Sequence, residues 1–193
     1  VSGNRTTIKN IYELEPGHAA EFDVNSGKLK IWRWYDFIKE RTEEKINYEK
    51  LERIVFESVK RHLISDAPIG IQLSGGIDSS ILAWYVNKIK GEGVKSFSIS
   101  FLESEYDESV EASNTAKKFN FEHYEIPFTI RDFIEIWPKA IKFFDEPINH
   151  PHTLPLFKLY QVAKDHVKVL LSGEGADEVF LGYEHHKRIL NIT

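Results

Sequence analysis

The chain has no cysteine and no methionine. Without thiols it can form no disulfide and run no thiol chemistry. An excess of basic charge is also missing: 25 Lys and Arg stand against 30 Asp and Glu, a net charge of −5. A general nucleic-acid binder needs a cationic face for the phosphate backbone, so that class is disfavoured. No apolar run approaches the roughly 20 residues of a membrane-spanning helix, and no charged-then-apolar leader opens the chain. A cytoplasmic protein that binds neither nucleic acid nor membrane is the expectation. The first residue is Val1 rather than Met, and the sequence stops at Asn191-Ile192-Thr193 directly after a helical pattern, without a capping glycine. Both features suggest a piece of a longer polypeptide.

What is present is a packed globular composition: 193 residues, 41% hydrophobic and 13% aromatic. That length holds one good domain and part of another. Residues 6–35 show period-two runs, Thr7–Leu14, Ala20–Val24 and Lys28–Tyr35, joined by Pro16-Gly17 and Asn25-Ser26-Gly27. These read as β-hairpins too small to bury both faces alone. Residues 36–47 are polar and read as a linker, with Glu43-Glu44-Lys45 a solvated face. Residues 48–64 carry a helical apolar stripe. Strands at 69–73, 94–101, 121–126 and 167–172 then alternate with helices near 78–90, 107–119, 129–143, 152–165 and 175–190. Apolar strands alternating with helices predict a parallel sheet covered on both faces, with ligands at the carboxyl ends of the strands.

One such end carries the strongest signal. Ser74-Gly75-Gly76-Ile77-Asp78-Ser79-Ser80 joins the apolar strand Ile69–Leu73 to the apolar helix start Ile81–Val86. Strand, glycine turn, helix aims free backbone N–H groups at an anion. Two glycines admit close approach, and three serines add hydroxyls. A P-loop would place Lys here; this turn has Asp78 instead. A carboxylate beside a polyphosphate needs a cation between them, so Asp78 implies Mg²⁺. Such a loop suits attack at the α-phosphate of ATP, with pyrophosphate leaving and AMP remaining.

A second turn, Ser172-Gly173-Glu174-Gly175-Ala176-Asp177-Glu178, repeats the pattern after Val167–Leu171. Acids in a first helical turn are ordinary dipole partners. That account leaves the shared Ser-Gly start and shared Asp unexplained. Facing each other, the two turns would bring two helix ends and two carboxylates to one Mg²⁺–pyrophosphate. The end of Ser96–Phe101 offers backbone groups to an adenine. Glu103–Ser109 is an acidic turn that caps a helix. Asp145-Glu146-Pro147 ends a helix, since the residue before proline disfavours the helical conformation, and acids at that end oppose the dipole and suggest ligand duty. His150, His152, His185 and His186 lack acids or cysteines at ligand spacing and read as surface residues. Trp32, Trp34 and Trp84 read as packing.

The first turn resembles the SGGxDSS signature of the PP-loop ATP pyrophosphatases. Together SGGIDSS, FSISFLESEYDES, DEPINHP and LLSGEGADEVFLGY resemble, in order and spacing, the synthetase domain of the glutamine-hydrolysing asparagine synthetases. The likeness covers about residues 45–190. It implies an α/β fold: a parallel-sheet, three-layer αβα domain of the adenine-nucleotide alpha-hydrolase (PP-loop) type, preceded by a short β-hairpin segment. It implies that residues 1–36 are the end of an N-terminal glutaminase-like domain. Residues 37–193 would then be the ATP-binding synthetase domain, truncated at its C-terminus.

Residue by residue, the resemblance implies that Leu73 and Ile99 contact adenosine. Ser74, Gly75, Gly76, Ser79 and Ser80 would form the pyrophosphate loop, with Ser172 and Gly173 a second nucleotide contact. Asp78 and Asp177 would hold Mg²⁺, and Glu174 would serve the amide-forming step. The implied reaction adenylates the side-chain carboxylate of aspartate, and ammonia from a glutaminase domain then attacks the acyl-AMP. A homodimer is an open expectation. Leu181 departs from the family's usual glycine (FLGY against FGGY), and a further helical region bearing a lysine is missing, so this stretch alone is expected to bind nucleotide poorly and turn over little. Alternatives are a β-lactam-forming relative, an amidotransferase acting on another carboxylate, and a non-catalytic relative. The complete set Ser74, Asp78, Glu174 and Asp177 argues against the last. A sulfur-transfer RNA enzyme with the same loop is disfavoured by the absent cysteines and the acidic charge.

Overall fold

A computed structural model describes residues 4–36, 38–39, 45–101, 107–145, 147–148, 150–183, 185–186 and 188. The expected acidic positions Glu103, Glu105, Glu146, Glu43 and Glu44 lie outside the described residues, as does the end of the last expected helix. The chain divides into two compact units, residues 1–47 and 48–193.

In the first unit, β1 (His18–Asp23) pairs antiparallel with β2 (Lys28–Arg33), in register from His18 opposite Arg33 to Asp23 opposite Lys28. The Asp23 carboxylate accepts the Asn25 and Ser26 N–H groups and closes the hairpin. The expected strand Thr7–Leu14 does not form; only an isolated Arg5–Tyr12 bridge remains. The Thr6 hydroxyl takes up the carbonyls of Ile8 and Ile11, and Asn10 sits in the left-handed region at φ 65°, so local bonds replace a ladder.

The second unit is a three-layer sandwich. Its sheet runs in the order β5 (Glu122–Pro127), β4 (Lys95–Ser100), β3 (Ile69–Gln72), β6 (Val169–Leu171), and all pairs are parallel. Strand side chains alternate between two faces. On one face Ile71 packs with the adjoining Leu73 against α1 (Tyr48–His62), α2 (Ile77–Lys90) and α3 (Ser109–Lys118), through Val59, Ala83, Val86, Ala112 and Ala116. On the other, Phe97 and Ile126 pack with Leu159 and Ala163 of α5 (Thr153–Ala163). The helix α4 (Ile130–Phe144) joins this layer through Ile136 and Ala140, which cluster with Leu154 of α5.

Each element has a local cause. A reciprocal capping box between Thr129 and Asp132 starts α4. Asp132 also pairs with Lys158 at 2.7 Å, and Lys158 donates to the Pro127 carbonyl at 2.6 Å, which ties α4, α5 and β5 together. Asp145 caps α4 in the left-handed conformation, two residues before Pro147, as the proline predicts. Along β4 the alternation is unusual: Ser96, Ser98 and Ser100 are all fully buried. The His123 ring fills the space between two of them, with Nδ1 2.9 Å from Ser96 Oγ and Nε2 3.1 Å from Ser98 Oγ.

The path from β3 through β4 to β5 runs outward on one side; β6 returns to the other side of β3. The order reverses between β3 and β6, and that reversal opens a crevice at the carboxyl ends of those two strands. Among the described residues, no helix is long and apolar enough to cross a membrane.

Candidate functional site

A cleft of about 140 Å³ lies at this switch point. It is lined from both loops, by Ser74, Asp78 and Ser79 on one side and by Ser172, Gly173, Glu174, Gly175 and Asp177 on the other. The two turns interlock. A Cβ placed on Gly173 would sit 3.2 Å from Asp78 Cβ and 3.3 Å from the Ser79 nitrogen, so the two loops meet closely where position 173 has no side chain, and a larger residue there would push Asp78 or Ser79 by a few tenths of an ångström.

The first loop holds its own shape. Gly75 stands at φ +80°, and a Cβ there would lie 2.7 Å from the Glu108 carbonyl at the start of α3, so glycine is required twice over. The Ser79 hydroxyl donates to the Gly76 carbonyl at 3.1 Å and accepts the Ser74 N–H at 3.2 Å. The Ser80 hydroxyl donates to the same Gly76 carbonyl at 2.8 Å. These hydroxyls therefore shape the turn from within. Gly76 is the N-cap of α2 and supplies no side chain to the first turn, so the leading N–H groups of that helix are available to an anion.

The second loop is shorter in reach than its sequence suggests. Its helix, α6, covers Ala176–Phe180 between the left-handed Gly175 and Leu181, so the helix expected over 175–190 is interrupted there, with His185, His186 and Arg188 helical beyond the break. A five-residue helix sums few peptide dipoles, so this side of the cleft works mainly through carboxylates.

Asp78, Glu174, Asp177 and Glu178 together give the cleft a strongly acidic lining of oxygen donors. Among the described residues no three His, Asp or Glu groups converge to hold a metal by themselves. Mg²⁺ commonly takes one or two carboxylates and completes its shell with phosphate oxygens and water, so the donor set suits that ion in company with a polyphosphate. Tyr183 donates to Glu178 Oε1 at 2.5 Å. That bond pushes the Tyr183 hydroxyl up to about 12 and holds the Glu178 carboxyl below its usual range. Burial, then the charge of Glu174, raises Tyr160 on α5.

Of the residues expected at the site, Gly75, Gly76 and Ser80 build the loop without lining the cleft. The Leu73 and Ile99 side chains stay in the core on opposite faces of the sheet, Leu73 with 2% of its surface exposed. Asp145 is absent from the cleft lining. His150 and His152 stand with ring centres 6.4 Å apart, and His185 and His186 at 4.3 Å. Four lining residues lie outside the expected set: Gln72, Gly175, Glu178 and Tyr183. Gln72 left a signal, being the one polar side chain inside the apolar run Ile69–Leu73. Beside the cleft runs a larger apolar groove of about 620 Å³ between α1, α2 and α6, sharing Asp78 and residues 172–175 as a wall.

Comparison with known proteins fits this architecture. The Asparagine synthase family model matches residues 50–192. Asparagine synthetase [glutamine-hydrolyzing] 1 of Bacillus subtilis is 32% identical over 190 residues, covering 97% of this chain and 30% of that protein. A putative asparagine synthetase [glutamine-hydrolyzing] 2 of Methanocaldococcus jannaschii is 32% identical over 181 residues, covering 92% of this chain and 35% of that protein. The chain thus spans about a third of the length of the curated relatives it matches. Among solved structures, glutamine-dependent NAD+ synthetase from Acinetobacter baumannii, in complex with ADP, superposes with a TM-score of 0.51. At 19% identity, over 85% of this chain and 31% of that one, the likeness is one of fold. The chain belongs to the asparagine synthase family.

Proposed function

We propose that this chain carries the nucleotide-activating site of an ATP-dependent amide-forming ligase that converts aspartate to asparagine. The observation that carries the reading is the interlock of two strand–turn–helix loops at Gly173 and Asp78, which sets Asp78, Asp177 and Glu174 around one cleft. The names of its curated relatives support the product, and the ADP complex of the fold relative supports an adenine nucleotide.

A carboxylate is a poor electrophile. In the proposed reaction a carboxylate oxygen of aspartate attacks the α-phosphorus of ATP, the bond to the β-phosphate bridging oxygen breaks, and pyrophosphate leaves. Ammonia then attacks the acyl carbon, the bond to AMP breaks, and the nitrogen gives up a proton. In this reading Glu174 takes that proton. The N-terminus of α2, seated on Gly76, faces the charge that develops on the departing phosphates. Asp78 and Asp177 would hold Mg²⁺. When bound, that ion neutralises polyphosphate charge and orients the leaving group. In this reading ammonia comes from a glutaminase domain outside the present sequence.

The test incubates the longest natural polypeptide containing this sequence with Mg-ATP and ammonium, with and without aspartate, and separates the nucleotides. Aspartate-dependent AMP together with asparagine is expected. ADP in place of AMP, or AMP formation indifferent to aspartate, would remove the reading.

A further inference from the structure

Gln72 ends β3 and lines the cleft at the switch point. Its Oε1 is buried and has no hydrogen-bond partner among the described residues. A buried amide oxygen left without a donor is unfavourable, and the cost vanishes when a donor arrives. The neighbouring hydroxyls are committed elsewhere: Ser79 and Ser80 donate to the Gly76 carbonyl, and Ser74 Oγ lies 3.1 Å from Ser79 Oγ. The terminal torsion of a glutamine is soft and nearly two-fold, so the oxygen can turn toward a ligand in the cleft.

The charge of the cleft narrows the ligand group. Asp78, Glu174, Asp177 and Glu178 line it, and among the described residues no Lys or Arg does. Glu178 is already engaged by Tyr183. A group that brings N–H donors into this field is most stable there when it also brings positive charge. A primary ammonium supplies both on one group, whereas a phosphate supplies no donor and a hydrated metal ion donates only through its waters.

We propose that Gln72 accepts a hydrogen bond from the ammonium group of an amino-acid substrate, and so selects it over a dicarboxylate that lacks the amine. Gln72 is then a specificity residue, and Glu174, the lining carboxylate neither assigned to Mg²⁺ nor engaged by Tyr183, supplies the counter-charge. The inference rests on the adenylation reading above and adds to it the feature of the acceptor that is recognised.

The experiment compares the longest natural polypeptide containing this sequence with its Gln72→Leu variant. Pyrophosphate release is followed against L-aspartate and against succinate, and urea unfolding is followed without ligand. Gln72→Leu is expected to raise the KM for aspartate about tenfold, the loss of one hydrogen bond to a charged group. Use of succinate and the KM for Mg-ATP stay unchanged, and the unfolding midpoint does not fall, because an unpartnered oxygen has been removed. An unchanged KM for aspartate overturns the inference. So does a parallel rise in the KM for Mg-ATP, which would assign Gln72 to the nucleotide, or a lowered midpoint, which would give its amide a structural partner. A natural protein that releases no pyrophosphate with either acid removes the adenylation reading, and this inference with it, before any variant is made.

Discussion

Gly182 offers a way to move one carboxylate without changing it. A Cβ built on Gly182 would lie 1.8 Å from Asp177 Oδ1 and 2.9 Å from its Cγ. Real Cβ contacts are essentially never closer than 3.0 Å, so the Asp177 oxygen must retreat by about 1.2 Å. The obstructing atom is the far end of a short side chain in an exposed turn, and rotation about its own bonds relieves the clash. Gly182→Ala should therefore change stability by no more than about 0.5 kcal/mol, as surface substitutions do. The geometry of the cleft changes far more. If Asp177 helps hold Mg²⁺ beside a polyphosphate, misplacing it should weaken Mg-ATP binding roughly 10- to 100-fold, the range seen when the supports of metal ligands are removed. Titration calorimetry with Mg-ATP on the natural polypeptide, beside urea unfolding of the same sample, reads both quantities. Asp177→Asn serves as the reference loss. Wild-type affinity in Gly182→Ala, alongside a marked loss in Asp177→Asn, would refute the steric argument. Wild-type affinity in both would remove Asp177 from the nucleotide site.

Other expectations are independent of catalysis. Leu181 holds φ 59°, ψ 41° at the end of α6, a conformation that costs an L-residue about 1–2 kcal/mol. Leu181→Gly should accordingly be more stable than Leu181→Ala by roughly 0.5–1 kcal/mol in urea unfolding, the reverse of the order in a helix interior; an Ala variant equal to or better than Gly would contradict it. Burial holds His123 below its usual value, with Lys117 adding to the effect and Glu125 opposing it. A depressed folded value means the unfolded state binds the proton first, so stability should fall as pH drops below about 6.5, and His123→Gln should lose that slope. For Asp132 burial acts upward, but the bonds from Lys158 and Thr129 outweigh it and bring the carboxyl to about 2. Its stabilisation should be complete above pH 4 and lost as pH falls toward 2; Lys158→Met should shift acid unfolding to higher pH, as followed by circular dichroism.

The parallel sheet could be read from the sequence because its central strands β3 and β4 are largely buried, its strands alternate with helices, and those helices carry apolar stripes. The strand expected at 121–126 is observed at Glu122–Pro127, and the helix expected at 129–143 at Ile130–Phe144. Side-chain commitments were harder to read. Thr7–Leu14 has the alternation of a strand, yet the Thr6 hydroxyl and a left-handed Asn10 give its backbone a local alternative. The last helix looked long because apolar periodicity continues past Phe180; Gly182 marks a break there, but the residue that takes the left-handed conformation is its neighbour Leu181. At the cleft, spacing identified both loops, because a Ser-Gly start followed by an acid is visible in one dimension. It did not reveal that Ser79 and Ser80 turn their hydroxyls inward. It also did not reveal that Tyr183 folds back onto Glu178. Hydroxyl direction and chain reversal are decided by contacts that spacing does not encode.

The buried serines of β4 have a bearing on how the cleft is built. Ser96 lies directly opposite His123 in the ladder, and the same ring reaches Ser98 along the strand. A parallel pair of apolar strands has little to prevent it sliding by a residue, since one branched side chain packs much like another. Here a slide of one residue would turn the imidazole to the opposite face, toward Phe97, and strand two hydroxyls in a dry layer. His123 therefore acts as an alignment pin between β4 and β5. The height at which these two strand ends present their loops is thus fixed by a match of polar groups, alongside the Phe97–Tyr124 stack and the Lys95–Glu122 pair across the same ladder.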